Sequence, residues 1–171
     1  EKTGAQVKGD FASNDKYYDG ITGALVINSY VQVDKDWYYV GNDGKRLKGS
    51  QTINNVPVYF DTYDGKQAKG VFGNDGFFYD KDSGAKIDLG TNRYVFINEN
   101  WYYLNEEGKI LKGSQTIDGV HVYFDYNGVQ AKDTVLDGYY YDKDTGARKE
   151  LPRDQFIKIG DDLYYFSSNG R

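Results

Sequence analysis

Cysteine and methionine are missing altogether from this chain of 171 residues, and histidine occurs once, proline twice and tryptophan twice. Zero cysteine fits export by an organism that does not rely on disulfides and fits the cytosol equally well, so it selects no compartment. The lack of any methionine, a starting one included, predicts a fragment or processed piece of a longer chain. A lone histidine weighs against catalysis, because metal and nucleophile sites need clustered partners. His121 also stands where a matching strand has Pro57, as an exposed variant would. A basic surplus is lacking too: the net charge is −5 with both signs mixed, which argues against nucleic acid and anionic membrane as partners. No apolar run approaches the roughly 18 residues of a membrane span. Glu1 to Lys8 do not follow the basic-then-apolar order of a signal peptide. A soluble chain is expected, with any export signal elsewhere.

What the chain has in quantity is tyrosine, 18 residues, and glycine, 21, and both recur at fixed periods. "KGSQTINNVPVYFD" (48–61) matches "KGSQTIDGVHVYFD" (112–125) at 11 of 14 positions, offset by 64. "WYYVGNDGKRLKG" (37–49) and "WYYLNEEGKILKG" (101–113) share that offset, and "FYDKDSGAK" (78–86) returns as "YYDKDTGAR" (140–148), offset by 62. "YYDGITGAL" (17–25) is a third copy, 61 residues before the second. Inside this large unit lies a smaller one: two or three aromatics, a short polar turn with glycine, then a brief strand. Eight copies fit, at 17–25, 37–46, 58–68, 77–86, 101–110, 122–131, 139–148 and 163–171. Fixed periods of this size identify repeat architectures before any single residue is weighed.

Each small unit reads as a β-hairpin. Val56, Val58 and Phe60 alternate with Pro57, Tyr59 and Asp61, the period of a strand with two different faces. "YDG", "NDG", "EEG", "YNG" and "DSG" supply residues that tolerate positive φ in hairpin loops. Helical periodicity is nowhere sustained. An isolated hairpin is only marginally stable, so the units must stack to bury a core. Three small units per large one predict an all-β solenoid of stacked hairpins with about three hairpins per turn, forming a single array over 1–171. "GAQVKG" (4–9) reads as the tail of a hairpin whose first strand is missing, which predicts an array longer at both ends.

Binding is a better reading than catalysis. Carboxylates fall mostly in turns, where they cap backbone before they act as acid–base pairs. "DKDSG" (80–84) and "DKDTG" (142–146) resemble half of a calcium loop, but the last ligand position holds Thr91 and Arg153, so capped turns are expected and no metal. Trp37, Tyr39, Val58, Phe60, Phe77, Tyr79 and their repeats are expected to form a thin core. Yet 29 aromatics exceed what so small a core needs, and a half-exposed tyrosine suits the apolar face and hydroxyl rim of a sugar. Just past the turns, Gln67 and Lys69, Gln130 and Lys132, and Gln6 and Lys8 stand two apart, which on a strand places each pair on one face. Amide plus ammonium suits a neutral polyhydroxyl ligand; a solvated strand face is the competing reading.

"W-Y-Y-x₄-G-K-x-L-K-G-S-Q-T-I-x-x-V-x-V-Y-F-D" followed by "G-x-Q-A-K" resembles the YG-type repeats of the glucan-binding domain of glucansucrases and glucan-binding proteins from lactic-acid bacteria and oral streptococci. The similarity spans nearly the whole chain. Choline-binding modules and the repeats of large clostridial toxins share the "G-x-x-Y-Y-F" hairpin, so the resemblance is specific to the superfamily and less so within it. It implies a non-catalytic, secreted or cell-surface carbohydrate-binding module, monomeric and without cofactors, that binds α-glucan and anchors a glucansucrase or glucan-binding protein. It implies pockets at Gln67 with Lys69, Gln130 with Lys132 and Gln6 with Lys8. Each pocket's aromatic comes from Tyr79, Tyr141 and Tyr18 in the following hairpin, or from Tyr59 and Tyr123 in the same one. Asp133 departs from the glycines at positions 9 and 70, which puts the backbone approach at that pocket in question. Choline would need a tryptophan-rich cage. A structural spacer or a toxin-type glycan-binding repeat would also fit the pattern.

Overall fold

In a computed structural model the described residues are 7–167, and among them there is no helix. The strands are β1 (Asp10–Phe11), β2 (Tyr17–Tyr18), β3 (Ser29–Val33), β4 (Asp36–Val40), β5 (Gly49–Ile53), β6 (Val56–Phe60), β7 (Val71–Phe72), β8 (Phe78–Tyr79) and β9 (Lys86–Ile87) in a first unit, 1–89. A second unit, 90–171, holds β10 (Arg93–Ile97), β11 (Asn100–Leu104), β12 (Gly113–Ile117), β13 (Val120–Phe124), β14 (Thr134–Leu136), β15 (Tyr139–Tyr141), β16 (Arg148–Glu150), β17 (Gln155–Ile159) and β18 (Asp162–Phe166). Every sheet is a sequential antiparallel hairpin or a three-stranded meander, β7-β8-β9 and β14-β15-β16. Within each unit the hairpins stack on their chain neighbours as a β-solenoid.

The long hairpins close before the aromatic strand, not at the glycine turn after it. β5 and β6 pair from Gly49↔Phe60 to Ile53↔Val56, and Asn54 and Asn55 between them both have positive φ, 50° and 65°. Asn98–Glu99 and Asp118–Gly119 do the same work in unit 2. Such two-residue turns match the right-handed twist of the strands they join. The aromatic strand is thus the second of its hairpin. The glycine turn beyond it leads into a tail that makes one bridge back, Phe60↔Gln67 in unit 1 and Phe124↔Gln130 in unit 2.

Hydrogen bonding explains why the tail leaves its own hairpin. Asp61 Oδ1 accepts the Tyr63 and Asp64 amides at 2.7 and 3.1 Å, turning the chain sharply. The Gln67 amide then donates to the Trp37 carbonyl of the preceding hairpin at 2.8 Å, and Gln130 donates to Trp101 likewise, at 2.8 Å. A group that would otherwise be unpaired in a one-hairpin sheet is satisfied by the neighbouring hairpin.

The core is divided among small clusters. In unit 1, Val58 and Phe60 pack with Ile53, while Tyr59, on the other side of β6, packs with Ala68 and Tyr79. Ile117, Val122 and Phe124 repeat the first arrangement in unit 2. Both faces of the aromatic strand are therefore covered. Trp37, expected in the core, is instead 36% exposed, and Trp101 is 39% exposed. Each is the second residue of its strand, beside the two-residue turn that closes its hairpin.

Candidate binding site

The tail after β6 runs along the edge of the preceding hairpin and beneath the turn of the following one, so three hairpins meet at residues 67–69. Gln67 makes a bridge without belonging to a regular strand. Its side-chain amide points at the Ser83 carbonyl, 3.4 Å away, and its side chain also meets the Tyr30 hydroxyl. Lys69 holds its ammonium over the Trp37 ring, 5.7 Å from the centroid. Unit 2 repeats the arrangement more tightly. Gln130, 6% exposed, donates to the Thr145 carbonyl at 3.1 Å, and Lys132 donates to the Asp144 carbonyl at 2.7 Å while standing 5.2 Å from the Trp101 centroid. The two side chains thus grip consecutive carbonyls of one turn. Lys8 makes the matching bond to the Ile21 carbonyl, 3.0 Å; Gln6 lies outside the described residues.

The gripped turns are built by aspartate caps. Asp80 Oδ1 accepts the Ser83 amide and hydroxyl, both at 2.7 Å, and Asp142 Oδ1 accepts those of Thr145 at 2.9 and 2.8 Å. The Ser83 bonds hold the Asp80 carboxyl below its usual range, and Lys149 together with the Thr145 bonds does so for Asp142. Asp19 repeats the cap on Thr22 and shifts downward for the same reason. Each turn ends in a glycine at positive φ, Gly84 and Gly146, both pressed against the glutamine amide so closely that a Cβ would collide with it. These carboxylates serve the backbone. Among the described residues no group of three or more His, Cys, Asp or Glu is placed to hold a metal ion.

The tyrosines expected to floor the pockets divide. Tyr59, Tyr79 and Tyr141 are 4%, 1% and 3% exposed and belong to the packing between hairpins, with Tyr59 and Tyr79 centroids 5.8 Å apart. Their rings are enclosed and offer no open face for a sugar to stack on; in unit 1 the tail's Ala68 packs against Tyr59 and Tyr79 and helps close over them. Burial and a hydrogen bond to Asp75 push the Tyr79 hydroxyl well above its ordinary value. Tyr18 and Tyr123 are half-buried. The rings that do face outward beside the lysines are Trp37 and Trp101. Their signal in the sequence is the recurrence of tryptophan at one place of the repeat in a chain with no other. Asp133 takes the backbone place of Gly70, with φ 48° against 70°, and its carboxylate accepts the Tyr140 hydroxyl at 3.0 Å and the Gly160 amide at 2.8 Å. No collapse of the pocket backbone follows from it.

Comparison with known proteins adds the following. A choline-binding repeat matches residues 111–150, and a cell wall binding repeat matches 28–45, 92–110 and 154–171. Over 86% of its length the chain is 39% identical to glucosyltransferase-I of Streptococcus downei, and over 98% it is 36% identical to glucosyltransferase-S of the same organism. It spans only 10% and 14% of those proteins. Among solved structures, the modular autolysin LytC of Streptococcus pneumoniae is similar at 22% identity and a TM-score of 0.45, covering 96% of this chain and 36% of that one.

Proposed function

The chain belongs to the family of choline-binding and cell-wall-binding repeats, homologous to a segment of streptococcal glucosyltransferases, and from that premise we propose that it is a non-catalytic module that binds α-glucan. The observation that carries this reading is the exposed indole with a lysine ammonium over it, built twice by the same clamp: Trp37 with Lys69 and Trp101 with Lys132. An indole face takes the C–H face of a pyranose, and an ammonium with three donors serves the hydroxyl rim. In unit 2 one donor is engaged by Asp144, leaving two.

The roles of the Gln-x-Lys pair separate on this reading. Gln130 is buried and holds the turn, so it positions the site, while Lys132 and Trp101 touch the sugar. Gln67, Lys69 and Trp37 divide in the same way. The lysine also decides between ligands. Its positive charge beside the indole repels a quaternary ammonium, whereas a neutral sugar accepts hydrogen bonds from it. Saccharide is therefore favoured over choline. Each site is shallow, and two on one chain raise retention on a polymer through avidity. The module acts as a monomer, outside the cell or at its surface, anchoring a larger protein.

Co-sedimentation with insoluble dextran in the presence of a chelator tests this. Retention of the wild-type chain, undisturbed by free choline and lost in the Trp37→Ala/Trp101→Ala double variant, is expected. A chain that stays in the supernatant, or that is released by choline, rules the reading out.

A further inference from the structure

The hairpin that follows Trp37 in unit 1 has no tryptophan at the corresponding place. Trp37 is the second residue of β4 and pairs with Gln32; Pro57 is the second residue of β6 and pairs with Thr52. A pyrrolidine ring in place of an indole leaves a groove of about 280 Å³ between β5-β6 and the meander β7-β8-β9. One wall is Ser50 and Thr52; the other is Asp75, Phe77 and Lys86.

The polar groups in this groove are fixed from behind. Asp75 Oδ2 accepts the buried Tyr79 hydroxyl at 2.6 Å and the Ser50 hydroxyl at 3.0 Å, and Oδ1 accepts the Phe77 amide at 3.3 Å. An ionised carboxylate has about four acceptor positions, so one is left toward the groove. On the same wall, Lys86 is exposed and lays its ammonium on the Phe77 ring, 3.0 Å from the centroid. A carboxylate acceptor, an ammonium donor and an apolar ring edge around a small concave volume match a single pyranose with vicinal hydroxyls. One hydroxyl donates to Asp75 and its neighbour accepts from Lys86. Binding pockets generally start near ~300 Å³, which restricts this one to about one sugar ring.

We infer that the groove at Pro57, Asp75 and Lys86 is a second saccharide site, confined to unit 1 and distinct in chemistry from the Trp–Lys site, an inference that rests on the saccharide reading above. Unit 2 differs where the inference requires a difference. His121 stands in the place of Pro57, and its imidazole is hydrogen-bonded to the Thr116 hydroxyl at 2.9 Å. Asp137 sits at φ 50° in the short turn between Leu136 and Tyr139, whereas Asp75 is presented by a longer loop between Phe72 and Phe78.

The test is isomaltotriose titrated into the isotope-labelled chain, read by backbone amide and indole signals. Saturable shifts at Ser50, Thr52 and Lys86 are expected, separate from those at the two indoles. Pro57→Trp, which fills the groove, abolishes the groove shifts and leaves the indole shifts in place. Lys86→Ala, at an exposed position, weakens the groove response about tenfold, the worth of one hydrogen bond to a charged group. Silent groove amides alongside shifting indoles overturn this inference and leave the Trp–Lys site standing. Groove shifts that survive Pro57→Trp overturn it as well, and silence at both places removes both readings.

Discussion

Unit 1 has Gly70 after its Gln-x-Lys tail and unit 2 has Asp133, and both adopt the same left-handed backbone, φ 70° and 48°. What changes is what the side chain then does. Asp133 reaches forward to the Tyr140 hydroxyl and the Gly160 amide, tying the tail to the next two hairpins. Unit 1 has no carboxylate there, and its corresponding tie is Asp75, which reaches back to Ser50 from a longer loop. Glutamine, lysine, indole and capped turn recur in both units, held more tightly in unit 2. The groove one hairpin further on does not recur. Identical backbone geometry is therefore maintained by hydrogen bonds from the main chain and the turn caps, and side chains between the clamps are free to diversify.

That comparison is most severely broken at the shared core. Phe60 and Phe124 are each fully buried, and truncating either to alanine should cost about 3–5 kcal/mol; chemical denaturation of the two variants should give losses of similar size. Next come the glycines under the clamp. Gly84→Ala and Gly146→Ala each force a non-glycine residue into the left-handed region, about 1–2 kcal/mol, and displace the glutamine amide besides. Because Gln130 is the more deeply buried, the Gly146 variant should melt lower than the Gly84 variant. Asp133→Asn retains positive φ while weakening two hydrogen bonds, about 1 kcal/mol in total; a melting midpoint unchanged by it would sink the proposed tie. Acid should have the smallest effect near neutrality. The cap aspartates have carboxyls held below their unfolded values, so their stabilisation is complete above pH ~4. It falls away as the pH drops below that through the folded values. Asp142, with Lys149 added to its cap, should be the last to let go, which turn-specific NMR signals in acid titration will show.

Much of this is legible in the residues. Tyrosine, valine and isoleucine alternating between glycine turns announce strands, and the repeated "DKD" turns announce aspartate caps. The position of the Gln-x-Lys pair just past a turn is readable as well. Which aromatics face outward is not. A period of two predicts one buried face only when the other meets water. In a stack of hairpins the tail and the next hairpin cover both faces of β6, so Tyr59 is buried where alternation leaves it half-exposed, while Tyr79 is buried as expected of the core. Trp37 escapes because it lies at the turn end of its ladder, a matter of where the two-residue turn falls. That turn, Asp34–Lys35, escapes a sequence reading because it carries no glycine, unlike the turns flanking it. The glutamine's partner, a carbonyl 15 or 16 residues onward, depends on stacking and has no local signal.

The chain's only two tryptophans are the two proposed ligand floors, so indole emission reports on the sites and on nothing else. Titration with isomalto-oligosaccharide should change that emission saturably, with Trp37→Phe and Trp101→Phe each removing one component and choline producing no change. Retention of the chain on dextran with indole emission unaltered throughout would contradict the assignment of Trp37 and Trp101 as the surfaces that meet the sugar.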